Sequence, residues 1–260
     1  MGNGVKCMNE ALIKQHIKQY KDGILKQVQQ STLLKYTGAP VIDEERLFFT
    51  LLPLLNGEEW EESQSKSAIA VTLIFSALAA HDLVKELNAT TKEQQLQVLA
   101  GDYYSGKYYQ LLASDKQLDL IQQLSDGVAT ISEQKTRFYD RQLYSFEEII
   151  QSIQLIESKS IEQLYEYYSF HEYVFVMKES LLLIALKREL EAYEKGGKPF
   201  YISKSSQLQA NINLLQVEIE KVESLLKEEI TNSELLQDQL KGLLLDKLMR
   251  CTLEKQLREG

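Results

Sequence analysis

Residues 98–109 read VLAGDYYSGKYY, and the architecture that we predict for the chain is built outward from this stretch. A capping box at residues 90–93, TTKE, precedes it and predicts a helix over residues 92–113. One face of that helix combines small residues with a carboxylate: Leu99, Asp102, Gly106 and Ala113. Small residues let a neighbouring helix approach closely, so we expect a tight helix crossing in which Asp102 accepts a hydrogen bond.

The remainder of the chain is also predicted to be helical. Its 260 residues include 3 prolines, none of them between Leu54 and Lys198. Long proline-free segments rich in Leu, Gln, Glu, Lys and Ala are typical of helices. Apolar residues recur at helical spacing from Leu12 to Val28, and the uncharged run 67–80 predicts a helix buried on nearly all sides. That run is shorter than the roughly 20 residues of a membrane span. We predict an all-α protein without a stable membrane span.

Local signals predict where the helices begin and end. Asp43 is a candidate N-cap for a short helix ending near Pro53, and further capping boxes stand at residues 145–148, 160–163 and 231–234. The segment 196–199, GGKP, is the clearest break in the second half. Beyond it runs a short heptad seam: Leu208, Ile212, Leu215, Ile219, Val222 and Leu226. The seam predicts either a hairpin folded onto its own domain, which so few heptads favour, or a coiled coil with a partner chain.

Length, charge and cysteine content indicate the domain organisation, the excluded binding partners and the cellular compartment of the protein. We predict an N-terminal extension over residues 1–7 and a single helical domain over 8–260, in which residues 203–258 form a C-terminal helical hairpin. The formal net charge of −9 disfavours binding to nucleic acid and to anionic membranes. The 2 cysteines, Cys7 and Cys251, stand at opposite ends of the sequence and suit a reducing cytoplasm.

Most patterns that signal catalysis are missing from the sequence. It has no glycine-rich phosphate loop, no Cys/His metal cluster and no Gly-x-Ser-x-Gly turn, and its 3 histidines are scattered. Two segments rise above this background. One is residues 79–86, AAHDLVKE, at the end of the predicted buried helix, and the other is the stretch 98–109.

In this order and spacing the two segments resemble the trans-polyprenyl diphosphate synthases. Catalytic members of that family carry a His-Asp-Asp-x-x-Asp type motif, then an Arg pair, then a Gly-Asp-aromatic helix motif. The residues His81, Asp82 and Glu86 match the first motif, and residues 100–103 match the last. With the run APVIDE at 39–44, the chain looks still closer to one branch: component I, the small subunit, of bacterial two-component heptaprenyl diphosphate synthases.

The departures from the family pattern concern its metal site. Catalytic members hold Mg²⁺ on clustered carboxylates, and the metal neutralises the diphosphate of the allylic substrate. Here Leu83 stands at the second carboxylate of the motif, no Arg pair follows, and the chain contains no Asp-Asp dipeptide. We therefore expect His81, Asp82 and Glu86 to be a remnant of the motif. We expect no catalytic residue, no metal and no cofactor on this chain, and Mg²⁺ on its catalytic partner.

The resemblance implies a helical bundle like the isoprenoid synthase fold and a heterodimer with catalytic component II. That complex would extend farnesyl diphosphate with isopentenyl diphosphate to heptaprenyl diphosphate for the menaquinone side chain. This chain would be its auxiliary subunit and would help to set product length, with a polyprenyl chain at the interface. Candidates for the partner interface or the product channel are Phe75, Leu78, Gly101, Asp102, Tyr103, Tyr104, Gly106 and Tyr108. Ordinary packing remains the simpler role for the tyrosines, Phe75 and Leu78.

Two other functions are compatible with the sequence. The first is a helical protein-interaction adaptor that uses the C-terminal seam and is unrelated to isoprenoids. The second is a self-sufficient isoprenoid enzyme or binder that uses Asp82 and Glu86 in an unusual metal arrangement. We rank the second last because the opposing carboxylates are missing.

Overall fold

The computed structural model describes residues 10–85, 90–140 and 144–256, and it describes side chains as far as residue 249. Within these ranges every regular element is a helix, so the all-α prediction is confirmed. The described chain forms two compact units. The first comprises residues 9–126 and 163–169, and the second comprises residues 127–162 and 170 onward. Residues 1–7, the predicted extension, lie outside the described residues, and the single-domain assignment stays a prediction.

The first unit is built around a central helix. Its helices are α1 (Glu10–Gln27), α2 (Ser31–Thr37), α3 (Glu44–Thr50), α4 (Leu52–Leu55), α5 (Glu62–Asp82) and α6 (Lys92–Ser114). In α5 every residue from Ser67 to Ala77 is buried except Ile69, and the helix packs against α1, α3 and α6. The predicted buried helix is thereby confirmed. Its hydroxyl groups are satisfied locally, since Thr72 donates to the Ala68 carbonyl at 2.9 Å.

Two helices contribute residues to both units, α7 (Leu118–Arg137) and α8 (Phe146–Tyr167). The second unit then continues through a 3₁₀ turn (His171–Tyr173), α9 (Val174–Glu194), α10 (Phe200–Lys204), α11 (Ser206–Ala210), α12 (Ile212–Asn232) and α13 (Asp238–Gln256). The predicted break at 196–199 separates α9 from α10. Gly196 there has φ of +74°, which favours glycine.

Several predicted helix starts are confirmed by their hydrogen bonds. The Oδ1 atom of Asp43 accepts from the backbone N–H groups of Glu45 and Arg46 at 2.9 and 3.1 Å. The box at 145–148 is reciprocal: Ser145 N–H donates to the Glu148 carboxylate at 2.7 Å, and Glu148 N–H donates to the Ser145 hydroxyl at 3.2 Å. At the start of α6 the capping hydroxyl belongs to Thr91 rather than Thr90, and it accepts from Gln94 N–H.

Two other predicted helix starts are wrong. Residues 160–163 lie inside α8, because no glycine or proline in residues 146–160 stops the helix before them. Residues 231–234 fall at the end of α12, where the Ser233 hydroxyl caps Leu236 N–H instead, and α13 begins only at Asp238. A capping box marks the start of a helix only where the preceding residues are not themselves helical.

The heptad seam of α12 is covered within the chain. Four of its residues are buried, Leu215, Ile219, Val222 and Leu226, and the helix packs against α9 and α13. This arrangement is the hairpin alternative of the two that the sequence left open. None of the described helices combines the length and apolarity needed to cross a membrane.

The buried seam predicts a sharp difference between neighbouring leucines. Leu226 is fully buried, so Leu226→Ala should lower the free energy of unfolding by about 2–5 kcal/mol through lost burial and the cavity left behind. Leu225 is 41% exposed, and Leu225→Ala should cost less than about 1 kcal/mol. Urea unfolding followed by circular dichroism measures both values. Equal losses would show that the seam does not face the interior.

Candidate functional site

The two segments singled out by the sequence lie against each other where the last turn of α5 meets the first half of α6. The His81 imidazole covers Gly101, so closely that a Cβ atom added to Gly101 would stand 2.5 Å from Nε2 of His81. Real Cβ atoms do not make contacts this short. The histidine ring occupies the space that a side chain at position 101 would fill, so any larger residue there requires the ring to move.

Asp102 lies beside the same imidazole. Its Oδ1 atom is 3.6 Å from Nε2 of His81, which is an ion-pair distance when the imidazole is protonated. Both side chains remain largely accessible, and that of Asp102 is 63% exposed. The sequence order His81…Gly101-Asp102 therefore corresponds to one local cluster, in which the glycine admits the ring and the carboxylate faces its edge.

The structure describes part of the aspartate-motif remnant. Asp82 ends α5 on the exposed surface, Leu83 is 56% exposed, and Glu86 lies outside the described residues. Within residues 10–85, 90–140 and 144–256, no group of three or more His, Cys, Asp or Glu side chains is placed to hold a metal ion. The side chain of Leu83 has no oxygen atom, so it does not fit Mg²⁺, which prefers oxygen ligands.

The prediction about the faces of α6 is wrong. The face that packs inward carries Ala100, Gly101, Tyr104 and Tyr108, whereas the face of Leu99, Asp102, Gly106 and Ala113 is exposed. A Cβ atom on Gly106 would meet nothing within 4 Å. Close approach of α5 and α6 instead depends on Ala100 and Gly101. The exposed face carries the small-residue pattern.

The aromatic and apolar candidates divide by burial. Tyr104 and Tyr108 are buried in the core, and burial raises the pKa of both phenols above the ordinary value. Tyr103 is half-buried, with the Lys107 ammonium 5.6 Å from its ring centroid. Phe75 is buried under the Arg46 guanidinium at 4.6 Å, and Leu78 is half-buried. Packing accounts for the buried ones, and the interface and channel roles of all these residues stay predictions.

A charged cluster in the second unit was missed by the sequence reasoning. The Glu162 carboxylate accepts from Lys159 at 2.7 Å and from Lys178 at 2.6 Å, and its side chain is 11% exposed. Burial by itself would raise the pKa of Glu162, but hydrogen bonds from the two lysines outweigh it, so the pKa lies below its ordinary value. The i,i+3 spacing of Lys159 and Glu162 is visible in the sequence, whereas the contribution of Lys178 from α9 is not.

Comparison with known proteins identifies the family. A family model described as heptaprenyl diphosphate synthase (HEPPP synthase) subunit 1 matches residues 30–240 of the chain. This chain belongs to the heptaprenyl diphosphate synthase subunit 1 family. Heptaprenyl diphosphate synthase component 1 of Geobacillus stearothermophilus is 31% identical to it over 156 residues, which are 60% of this chain and 71% of that protein. The resemblance to component I is therefore confirmed.

Solved structures establish the fold of this family member. The heptaprenyl diphosphate synthase of Staphylococcus aureus matches with a TM-score of 0.65 and 16% identity, covering 92% of this chain and 97% of that one. The geranylgeranyl pyrophosphate synthetase of Geoglobus acetivorans matches with a TM-score of 0.63 and 15% identity, covering 92% and 99%. The expected isoprenoid synthase fold is confirmed, and at such identities the likeness concerns the fold alone.

The contact between His81 and Gly101 predicts strong coupling between two substitutions. Gly101→Ala should fail to stabilise the wild-type protein, because the new methyl group displaces His81. In a His81→Ala background the same change should stabilise by about 0.5–1 kcal/mol, the usual gain of alanine over glycine in a helix. Thermal unfolding of the four variants gives the coupling energy.

Gly106→Ala is the matched control for this cycle. Its Cβ would meet no atom within 4 Å, so it should stabilise equally in both backgrounds. Additive effects of the changes at positions 81 and 101 would contradict the packing described above.

The charged cluster predicts an acid-dependent contribution to stability. Because the folded-state pKa of Glu162 is lowered, its stabilisation is present above the unfolded pKa of about 4.3 and is lost as the pH falls through the folded value. Glu162→Gln should therefore cost about 1.5–3 kcal/mol at pH 7 and less at pH 3. Chemical unfolding at both pH values measures this. Glu191→Gln, which removes an exposed pair with Lys195, should cost little at either pH.

Proposed function

We propose that this chain is the auxiliary, non-catalytic subunit of a two-component heptaprenyl diphosphate synthase. Its membership of the subunit 1 family supports the assignment to that enzyme system. In the proposed complex a catalytic component II binds Mg²⁺ and extends farnesyl diphosphate with isopentenyl diphosphate. This chain binds component II and helps to set the length of the product, which supplies the menaquinone side chain. We expect the complex to work in the cytoplasm.

The proposed inactivity of the isolated chain rests on the presence of leucine, rather than a carboxylate, at position 83. Prenyl transfer begins when the allylic diphosphate leaves, and several carboxylates must hold the metal that neutralises it. At the exposed end of α5, Asp82 is followed by a leucine, which offers no oxygen ligand. The Arg pair of the catalytic motif is also missing from the sequence. The residues that remain at this position do not supply the charge that diphosphate departure requires.

A proposed role in length control rests on where large apolar side chains are exposed. A growing polyprenyl tail needs a long apolar channel, and bulky side chains decide where the channel ends. Leu83, which follows the last residue of α5, and Leu99, in the first half of α6, expose 56% and 54% of their surface. Side chains of this kind would border a channel that the chain shares with component II.

The experiment that tests the proposed function measures incorporation of radiolabelled isopentenyl diphosphate in the presence of farnesyl diphosphate and Mg²⁺. It compares this chain alone, the catalytic subunit alone, and their mixture. We expect long-chain product only in the mixture. Turnover by this chain alone would contradict the loss of its metal site, and a mixture no more active than the catalytic subunit would favour the adaptor function.

A substitution separates the auxiliary role from a catalytic one. Asp82→Ala removes the one carboxylate of residues 81–83, yet the activity of the mixture should stay within about twofold of wild type, because no metal site depends on it. Asp22→Ala, which removes an exposed carboxylate of α1, is the control. A loss of more than about 100-fold with Asp82→Ala alone would assign this aspartate to the reaction.

A further inference from the structure

We propose that a pocket in the second unit binds a small phosphate-class anion, inorganic phosphate or pyrophosphate, between the side chains of Arg137 and Lys204. The pocket lies where the end of α7 and the start of α8 meet the turn from α10 to α11, and its volume is about 160 Å³. The proposed site goes beyond the proposed function and does not depend on it. The residues that give the pocket its character are Arg137, Phe138, Asp140, Tyr144, Ile149 and Lys204.

The two basic side chains of the pocket contrast with the acidity of the chain. The sequence has 38 acidic and 29 basic residues and a formal net charge of −9, so its surface as a whole repels small anions. Arg137 and Lys204 nevertheless line one cavity, with the carboxylate of Asp140 beside them. Two like charges around a small space repel each other, and an anion between them removes that repulsion. The pocket therefore favours an anionic ligand.

Aromatic rings hold both cations at the pocket. The Arg137 guanidinium lies 5.3 Å from the ring centroid of Tyr144, and the Lys204 ammonium lies 4.4 Å from that of Tyr139. The face of an aromatic ring attracts a cation by electrostatics. A guanidinium held in this way can still direct two parallel N–H groups at a pair of phosphate oxygens, which is the geometry in which arginine binds phosphate.

A packed aromatic cluster fixes the positions of the two cations. The ring centroid of Phe138 lies 5.0 Å from that of Tyr201 and 5.9 Å from that of Phe200, and these contacts join the end of α7 to α10. The Glu189 carboxylate holds α10 in turn, because it accepts a hydrogen bond from Ile202 N–H at 2.9 Å. The basic groups are thus preorganised, and little ordering is needed when an anion binds.

The floor and the size of the pocket indicate the class of anion. Phe138 and Ile149 are each 6% exposed, and such a partly apolar floor strengthens the attraction between an anion and the cations above it. One water molecule takes about 30 Å³ of liquid, so 160 Å³ holds roughly five waters. That space suits one or two phosphate groups and is too small for a polyprenyl tail.

Calorimetric titration of the full chain with pyrophosphate in the absence of Mg²⁺ tests the site. We expect saturable binding at one site, and weaker binding of orthophosphate, which has less charge, at the same site. Arg137→Gln and Lys204→Gln should each raise the dissociation constant at least about tenfold, because each removes a charge-assisted hydrogen-bond donor. Lys221→Gln is the matched control, since it removes a lysine of α12 that is 68% exposed, and it should bind as wild type does.

Asp140→Asn should have the opposite effect. It removes the carboxylate beside the pocket, so pyrophosphate should bind about three- to tenfold more tightly, a gain that partial unfolding cannot produce. Glu220→Gln changes the net charge equally by removing an exposed carboxylate of α12, and it should leave the affinity unchanged. Unfolding temperatures within a few degrees of wild type establish that the variants keep the fold.

Three results would overturn the proposed site. The first is no saturable binding at millimolar pyrophosphate when the ionic strength is matched with sodium chloride. The second is equal affinity of wild type and Arg137→Gln. The third is equal tightening by Asp140→Asn and Glu220→Gln, because net charge rather than the pocket would then control binding. The incorporation assay tests the proposed function separately, so failure of the anion site leaves that function standing.

Discussion

The structure of the first unit depends on the burial of one uncharged helix. From Ser67 to Ala77 α5 offers no charged side chain, so neighbouring helices can cover it on nearly all sides. Its few hydroxyl groups donate to carbonyl groups nearby, as Ser76 does to Val41 at 2.8 Å, and burial therefore leaves these hydroxyls paired. Each covering helix gains an apolar surface to pack on, and the position of α6 follows from this contact.

The close contact of α5 with α6 determines how the surface beside it is arranged. Because Ala100 and Gly101 face inward, the remaining small residues, Gly106 and Ala113, face outward and leave the far side of α6 uncovered. The His81 ring lies on Gly101 and directs Nε2 towards Asp102. The buried and exposed residues are thus two sides of the same helix, and the His81 imidazole contacts both Gly101 and Asp102.

The end of α5 is the point at which the proposed loss of catalysis is argued. At position 83, where the catalytic motif has a carboxylate, this chain exposes a leucine. In the second unit Lys159 and Lys178 both donate to Glu162, so each ammonium group has a partner within the protein. A scaffold with the fold of the prenyl diphosphate synthases thus has an exposed leucine where the catalytic motif carries a metal-binding carboxylate.

The sequence by itself determined the features that depend on a few neighbouring residues. The all-α fold, the buried helix, the cap at Asp43 and the box at 145–148 follow from spacing and local hydrogen bonds, and the missing metal ligands are visible as residue types. Tertiary structure alone decided which face of α6 is buried, because Ala100 with Tyr104 and Leu99 with Gly106 make both faces look apolar or small. It also decided which side chain covers Gly101 and which second lysine binds Glu162, since His81 and Lys178 belong to other helices. Interactions between residues distant in sequence depend on how helices pack, and helical periodicity contains no information about the neighbour that each face will meet.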